Sequence, residues 1–215
     1  MTLTYLAASD LHATPWKNGG GTTMELVVRP LGATVGGDFL WRISIATIAV
    51  PGEFSCFPGY DRTIVQLDGQ PMRLIHANQP GLAAGEQPSE AVLSLMTPYH
   101  FSGDWPTYGQ IYGPLVRDFN VIVRRGFSTA DVRCLTLDPA TPILLPASDA
   151  LLIYAHGGPV NVTSVAGERR IAQYDALLFE GETSGVTLTR PASTSGIWVV
   201  LCVLLKASRR QHSQV

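Results

Sequence analysis

Phe57-Pro58-Gly59-Tyr60-Asp61-Arg62 leads into Thr63-Ile64-Val65-Gln66-Leu67 and then Asp68-Gly69-Gln70-Pro71. Eighty-eight positions later, Leu145-Pro146-Ala147-Ser148-Asp149-Ala150 leads into Leu151-Leu152-Ile153-Tyr154-Ala155 and then His156-Gly157-Gly158-Pro159. Each copy reads as a turn, a five-residue apolar strand, a glycine turn and a returning strand. Pro58 and Pro146, Asp61 and Asp149, Gly69 and Gly157, and Pro71 and Pro159 keep register. The expectation is one β-rich unit built twice.

Outward from these hairpins the chain keeps the same character. Phe39 to Ala46 reads as a strand that alternates, with Leu40, Arg42, Ser44 and Ala46 on one face and Trp41, Ile43 and Ile45 on the other. Val132–Leu137, Ala150–Ala155, Val160–Val165, Ala176–Glu180, Gly185–Thr189 and Ile197–Leu205 read as further strands, and no amphipathic helix of three turns is evident. The aromatic, glycine-rich run 98–114 reads as a connector, and residues 118–126 as the start of the second half. The fold class is all-β, and a closed or rolled topology would keep so many apolar strands from exposing edges.

Composition bounds the function. The 215 residues are 46% hydrophobic and 15% charged, with a formal net charge of -2. No basic stripe draws the chain to nucleic acid, and no apolar run is long enough to span a membrane as a helix. Cys56, Cys134 and Cys202 are odd in number and sit in apolar surroundings, which suits reduced core thiols in the cytoplasm. The start lacks the basic and apolar regions of a secretory signal. His12, His76, His100, His156 and His212 form no paired metal motif, so no metal and no cofactor are expected. Gly-x-Ser-x-Gly is absent, and Gly19-Gly20-Gly21 lacks the Gly-Lys-Ser/Thr of a phosphate loop.

What remains is a polar set on or beside apolar strands: Lys17, Asn18, Glu25, Arg42, Ser44, Asp61, Arg62, Asp118, Asn120, Arg124 and Arg125. An arginine among Leu40, Trp41, Ile43 and Ile45 must find a partner or an anion, because an unpaired buried charge is costly. One account pairs Arg42 with Glu25, and Arg62 with Asp61 or Asp118, as internal struts. The other turns Arg42, Arg62 and Lys17 into a cavity as a clamp for a small carboxylate.

Pro15-Trp16-Lys17-Asn18-Gly19-Gly20-Gly21-Thr22-Thr23-Met24-Glu25-Leu26 resembles the opening motif of the HutD/Ves family. Trp41-Arg42-Ile43-Ser44, Phe54 to Arg62, and Asp118-Phe119-Asn120-Val121 with Arg124-Arg125-Gly126 follow in that family's order. The resemblance implies a bicupin: two cupin-like β-barrels in one compact chain, without the histidine and glutamate metal ligands of cupin enzymes. The halves would be residues 1–115, with the connector, and 116–205, with a flexible tail at 206–215 and exchange of the first strands left open. Arg62 is replaced by Ala150 in the second copy, which favours the first as the polar site.

The resemblance also implies binding of an acidic metabolite such as N-formylglutamate, in histidine utilisation or a stress response. Under that reading Trp16, Lys17, Asn18, Glu25, Arg42, Ser44, Arg62, Asp118, Asn120 and Arg124 bind or frame the ligand. Catalysis is left undecided. A metal-independent hydrolase, isomerase or lyase would need Glu25 or Asp61 as base, whereas a pure interaction module would use the same residues as struts. Homodimerisation fits all three readings.

Overall fold

A computed structural model of the chain describes residues 1–34, 38–77, 89–192 and 198–208. Within these, the regular structure is β-strand apart from one short 3-10 turn at Ala8–Asp10. No described helix is long and apolar enough to cross a membrane. The chain divides into two compact units, Leu11–Arg124 and Met1–Asp10 with Arg125–Val215. Of the tail expected at 206–215, positions 209–215 lie outside the described residues.

The unit of residues 11–124 holds β2 (Ala13–Pro15), β3 (Gly21–Arg29), β4 (Trp41–Ile48), β5 (Gly52–Phe54), β6 (Tyr60–Gly69), β7 (Arg73–His76), β8 (Ser89–Val92), β9 (Tyr99–Ser102), β10 (Thr107–Gln110) and β11 (Val116–Arg124). They form two sheets, in the orders β2-β3-β4-β11-β6-β9 and β5-β10-β7-β8. The core joins Ile48, Ile64, Phe101 and Val116 of the larger sheet to Leu74 of the smaller, with Met72, Leu93 and Ile111. The run read as a connector is therefore two strands, β9 and β10, whose aromatic residues belong to the sheets. β11 is hydrogen-bonded between β4 and β6, away from the second half it was expected to open. Its apolar alternation resembles that of any central strand, and its partner is fixed by pairing across the sheet, not by position along the chain.

The other unit holds β1 (Thr2–Leu6), β12 (Ser128–Thr136), β13 (Ile143–Leu144), β14 (Ser148–Ala155), β15 (Val160–Ser164), β16 (Gly167–Ile171), β17 (Ala176–Thr183), β18 (Thr187–Thr189) and β19 (Val199–Ala207). Its sheets run β1-β17-β14-β19-β12 and β13-β18-β15-β16. β1 is tied in by its pairing with β17 and through Asp175, which accepts from the Tyr5 hydroxyl and from the Ala8 amide at 2.8 Å. The core between the two sheets is apolar, from Leu151, Ile153, Phe179 and Cys202 to Val160, Val162 and Leu188.

The repeat read from the hairpins is written into this topology. β4-β11-β6-β9 and β5-β10-β7-β8 recur as β12-β19-β14-β17 and β13-β18-β15-β16, each strand number raised by eight. The eighty-eight-residue register nevertheless slips by one face. Ile64 faces the core of its unit, but in β14 the core residues are Leu151, Ile153 and Ala155. Ala150, Leu152 and Tyr154 alternate with them, so Ala150 is not the interior counterpart of Arg62. None of the four described sheets closes on itself into a barrel.

The triple glycine has a steric cause at one position. A Cβ on Gly21 would lie 2.4 Å from the Thr47 carbonyl oxygen and 3.2 Å from the Trp16 ring, whereas Gly19 needs its φ of +70° and Gly20 meets only the Asn18 side chain. The thiols are less uniform than expected. Cys202 is buried and its thiol pushed up, but Cys56 is exposed in the loop ahead of β6, so it is not a core thiol.

Candidate functional site

Alternation along three neighbouring strands gathers the polar residues of the first unit onto one sheet face. On β4 these are Arg42 and Ser44, on β11 Asp118 and Asn120, and on β6 Arg62 and Gln66, all buried. Ser44 lies opposite Asn120, and Arg42 and Arg62 both lie opposite Ile122 from its two sides. Asp118 lies opposite Gln66 in the same register, and the ladder shifts only beyond it, at Arg117. A second shift, in β3, leaves Glu25 opposite Ser44 and Val28 opposite Arg42. From there Glu25 accepts from Arg42 Nε at 2.8 Å, its own side chain 41% exposed. The strut expected between these two exists.

Arg62 is held differently. Its Nη1 donates to the Ser55 carbonyl at 3.0 Å and its Nη2 to Asn120 Oδ1 at 3.2 Å. Asn120 Nδ2 in turn donates to Asp118 Oδ1. Three rings surround the guanidinium, Phe101 with its centroid 4.8 Å from Cζ, and Phe54 and Phe57 each at 5.4 Å. These cation–π contacts replace part of the hydration lost on burial. On this sheet face, among the described residues, Arg62 Nε and Asp118 Oδ2 are buried without a hydrogen-bond partner. The strut expected from Arg62 to Asp61 is absent, since Asp61 is exposed and alternates with Arg62 along β6. That to Asp118 runs through Asn120.

Burial dominates both ionisations. It lowers the Arg62 pKa to about 10 despite the nearby Asp118 charge, and raises that of Asp118 to about 7 against the opposing influence of Arg62 and Asn120. Between about pH 4 and pH 7 the folded state thus holds a proton on Asp118 that the unfolded chain has released. Stability from this group is present at the acid end and is lost as pH rises. An Asp118→Asn variant lacks that loss, so its melting temperature relative to the parent should rise steadily from pH 4 to pH 7. A constant difference across that range would contradict the assignment.

His76, on β7, is fully buried, and both its ring nitrogens are engaged. Thr107 donates to the Trp105 carbonyl at 3.0 Å, which leaves its oxygen to accept from His76 Nδ1 at 2.9 Å. Nε2 then accepts from the Tyr99 hydroxyl at 3.0 Å. Burial and the Arg62 charge lower the His76 pKa, in keeping with this neutral tautomer. The metal site of a cupin enzyme does not fit here. Among the described residues no group of three or more His, Cys, Asp or Glu side chains could hold an ion, and the interior carries two arginines.

The remaining expected residues are scattered. Trp16 and Asn18 line a pocket of about 230 Å³ with Gly19, Gly20, Ile48 and Phe54. There Trp16 Nε1 donates to Thr23 Oγ1 at 2.7 Å, and Asn18 Oδ1 accepts from the Gly20 amide at 3.0 Å. Lys17 is exposed and outside both the pocket lining and the buried set. Arg124 lies at the end of β11, 3.7 Å from Asp38. Sequence reasoning passed over Gln66 on the polar face, and also Phe54 and Phe101, which complete the aromatic surround of Arg62. Phe54 also lines the pocket, so one ring borders both places.

The profile of the HutD family matches residues 8–198. The chain belongs to the HutD family. A HutD/Ves chain with a cupin-like fold agrees with the resemblance read from the sequence. An uncharacterized 21.2 kDa protein in the hutC 3' region of Pseudomonas putida is 35% identical over 180 residues, 83% of this chain and 87% of that one. Among solved structures, a conserved protein of unknown function from Pseudomonas aeruginosa PAO1 superposes with a TM-score of 0.81 at 30% identity, covering 96% of this chain and all of that one. HutD from Pseudomonas fluorescens SBW25, in a formate condition, gives 0.73 at 25% identity over 96% and 99%.

Proposed function

We infer that this HutD-family protein is a small-molecule binder for an acidic metabolite, which it senses or buffers in the cytoplasm, and that the ligand's carboxylate docks on Arg62 inside the first unit. The observation that carries this is the pair of buried polar atoms without a partner, Arg62 Nε and Asp118 Oδ2, on the sheet face shared with Arg42 and Ser44. Leaving such atoms unpaired costs about 1–3 kcal/mol each, a cost that a bound ligand removes. In this reading the two sheets of each unit make one cupin-like barrel, and the first barrel is the binding one because the second has an apolar interior.

The hutC-region relative favours histidine utilisation as the setting, and N-formylglutamate as the first compound to test. Equilibrium dialysis against N-formylglutamate, glutarate and formate should give saturable binding of at least one. Retention of none would overturn the reading.

The pocket beside the glycine loop serves as the way in, with Phe54 between it and Arg62. The ring is set against Gly109, where a Cβ would come within 2.4 Å of it. Truncating the ring in Phe54→Ala should speed ligand association roughly tenfold, as expected of a barrier removed, and lower the stability of the fold by the loss of one cation–π contact to Arg62, about 0.5–2 kcal/mol. Stopped-flow measurement of the association rate checks this. An unchanged rate would place the entrance elsewhere.

A further inference from the structure

Asn120 has one orientation open to it. Its amide oxygen accepts from the cation Arg62 and its amide nitrogen donates to the carboxyl of Asp118. The chain Arg62–Asn120–Asp118 is therefore polarised along its length, and it ends in two unpartnered atoms, Arg62 Nε–H at one end and Asp118 Oδ2 at the other. A carboxylate reaching these buried atoms needs donors. Arg62 Nε–H is one. Asp118 Oδ2 repels the ligand when ionised and donates to it when protonated.

We propose that a carboxylate bound on Arg62 is also held by the protonated carboxyl of Asp118, so that each ligand enters together with one proton. This rests on the carboxylate reading above and adds its chemistry. The proton comes from solvent onto Asp118 Oδ2, forms an O–H···O bond to the ligand, and returns to solvent when the ligand leaves. An anion and a proton entering together leave the net charge of this buried sheet face unchanged, which avoids the cost of adding a bare charge to it.

The groups around Asp118 fit that role. Arg62 faces it from β6 and Arg42 stands on β4, already paired with Glu25 of β3. Cys56, in the loop ahead of β6, and His76, on β7, act on or respond to the Arg62 charge, and His76 is neutral with both nitrogens engaged. Tyr99 of β9 keeps its proton, its pKa raised by burial. Arg62 is thus the cation that opposes protonation, and burial outweighs it, with the Asp118 pKa raised to about 7.

Titration calorimetry with formate tests the coupling, since formate is the smallest carboxylate and stays ionised throughout the range used. Near pH 8, heats measured in phosphate and in Tris should differ by the uptake of about one proton per formate, and the uptake should fall toward zero near pH 5.5. Affinity should weaken about tenfold per pH unit above pH 7. In Asp118→Asn, whose side-chain amide supplies a donor without titrating, formate should bind with no proton uptake and with pH-independent affinity. Wild-type binding without proton uptake at either pH would overturn the coupling and leave the carboxylate reading standing. No formate binding by the wild type would overturn both. The wild-type proton count decides the matter even where the variant fails to fold.

Discussion

Arg62→Met loses saturable carboxylate binding, by at least about 100-fold, while the protein stays folded. Arginine is the ligand's main donor in this account, and removing one partner of a buried charged contact typically costs about 2–5 kcal/mol, with about 1.4 kcal/mol for each tenfold. Methionine matches the length of the arginine stem and suits the three rings around it, so the packing of Phe54, Phe57 and Phe101 has a substitute. The lost cation is the larger of the two influences that hold the Asp118 pKa down, ahead of Asn120, so Asp118 becomes more firmly protonated in the variant. Asn120 and the Ser55 carbonyl each lose a donor, which sets a modest stability cost. Binding measured by dialysis and folding measured by circular dichroism separate the two effects. Undiminished affinity in a folded Arg62→Met protein would remove the site from this sheet face.

Gly21→Ala should be the most damaging change in the glycine loop. The added methyl falls 2.4 Å from the Thr47 carbonyl oxygen, a backbone atom of the paired strand β4. Neither side can yield cheaply, because Gly21 pairs with Ile48 and the Gly20 carbonyl accepts from the Ala49 amide at 2.9 Å. Overpacking against side chains costs about 1–3 kcal/mol, and against a fixed backbone the upper end or more is expected. Gly19→Ala should cost about 1–2 kcal/mol through its left-handed φ, and Gly20→Ala least, since it meets only the movable Asn18 side chain. Urea unfolding of the three variants should rank them in that order. A Gly21→Ala protein as stable as Gly20→Ala would contradict the geometry.

Much of the fold could be read along the chain because β-structure leaves local marks. Alternation in Trp41–Ala46 and the two proline–glycine hairpins located central strands, and their spacing revealed a repeat that the strand orders reproduce. Strands without apolar alternation were not legible. β16 carries Gly-Glu-Arg-Arg exposed along a sheet edge, and β5 and β13 are only two or three residues long. β11 was misplaced because pairing across a sheet leaves no trace in sequence distance.

The site divides in the same way. Arg42, Ser44, Arg62, Asp118 and Asn120 stood out as polar residues in apolar strands, and alternation plus pairing brings them to one face. Lys17 joined them only by its charge, and its loop position leaves it in solvent. Phe54 and Phe101 carried no signal, because a ring over a guanidinium looks in sequence like any core aromatic. The relation of Asp118 to Arg62 depends on how β11 pairs with β6, which no periodicity along either strand announces.

The most direct measurement is nitrogen-15 NMR of the arginine side chains during titration with carboxylates. Arg62 Nε–H is buried and without a protein acceptor, so it should give a slowly exchanging signal that is missing from Arg62→Met. This signal should shift saturably on adding N-formylglutamate or formate, in step with the dialysis isotherm. An Arg62 Nε–H signal that stays in place while ligand binds, or while all the carboxylates are added in excess, would contradict it.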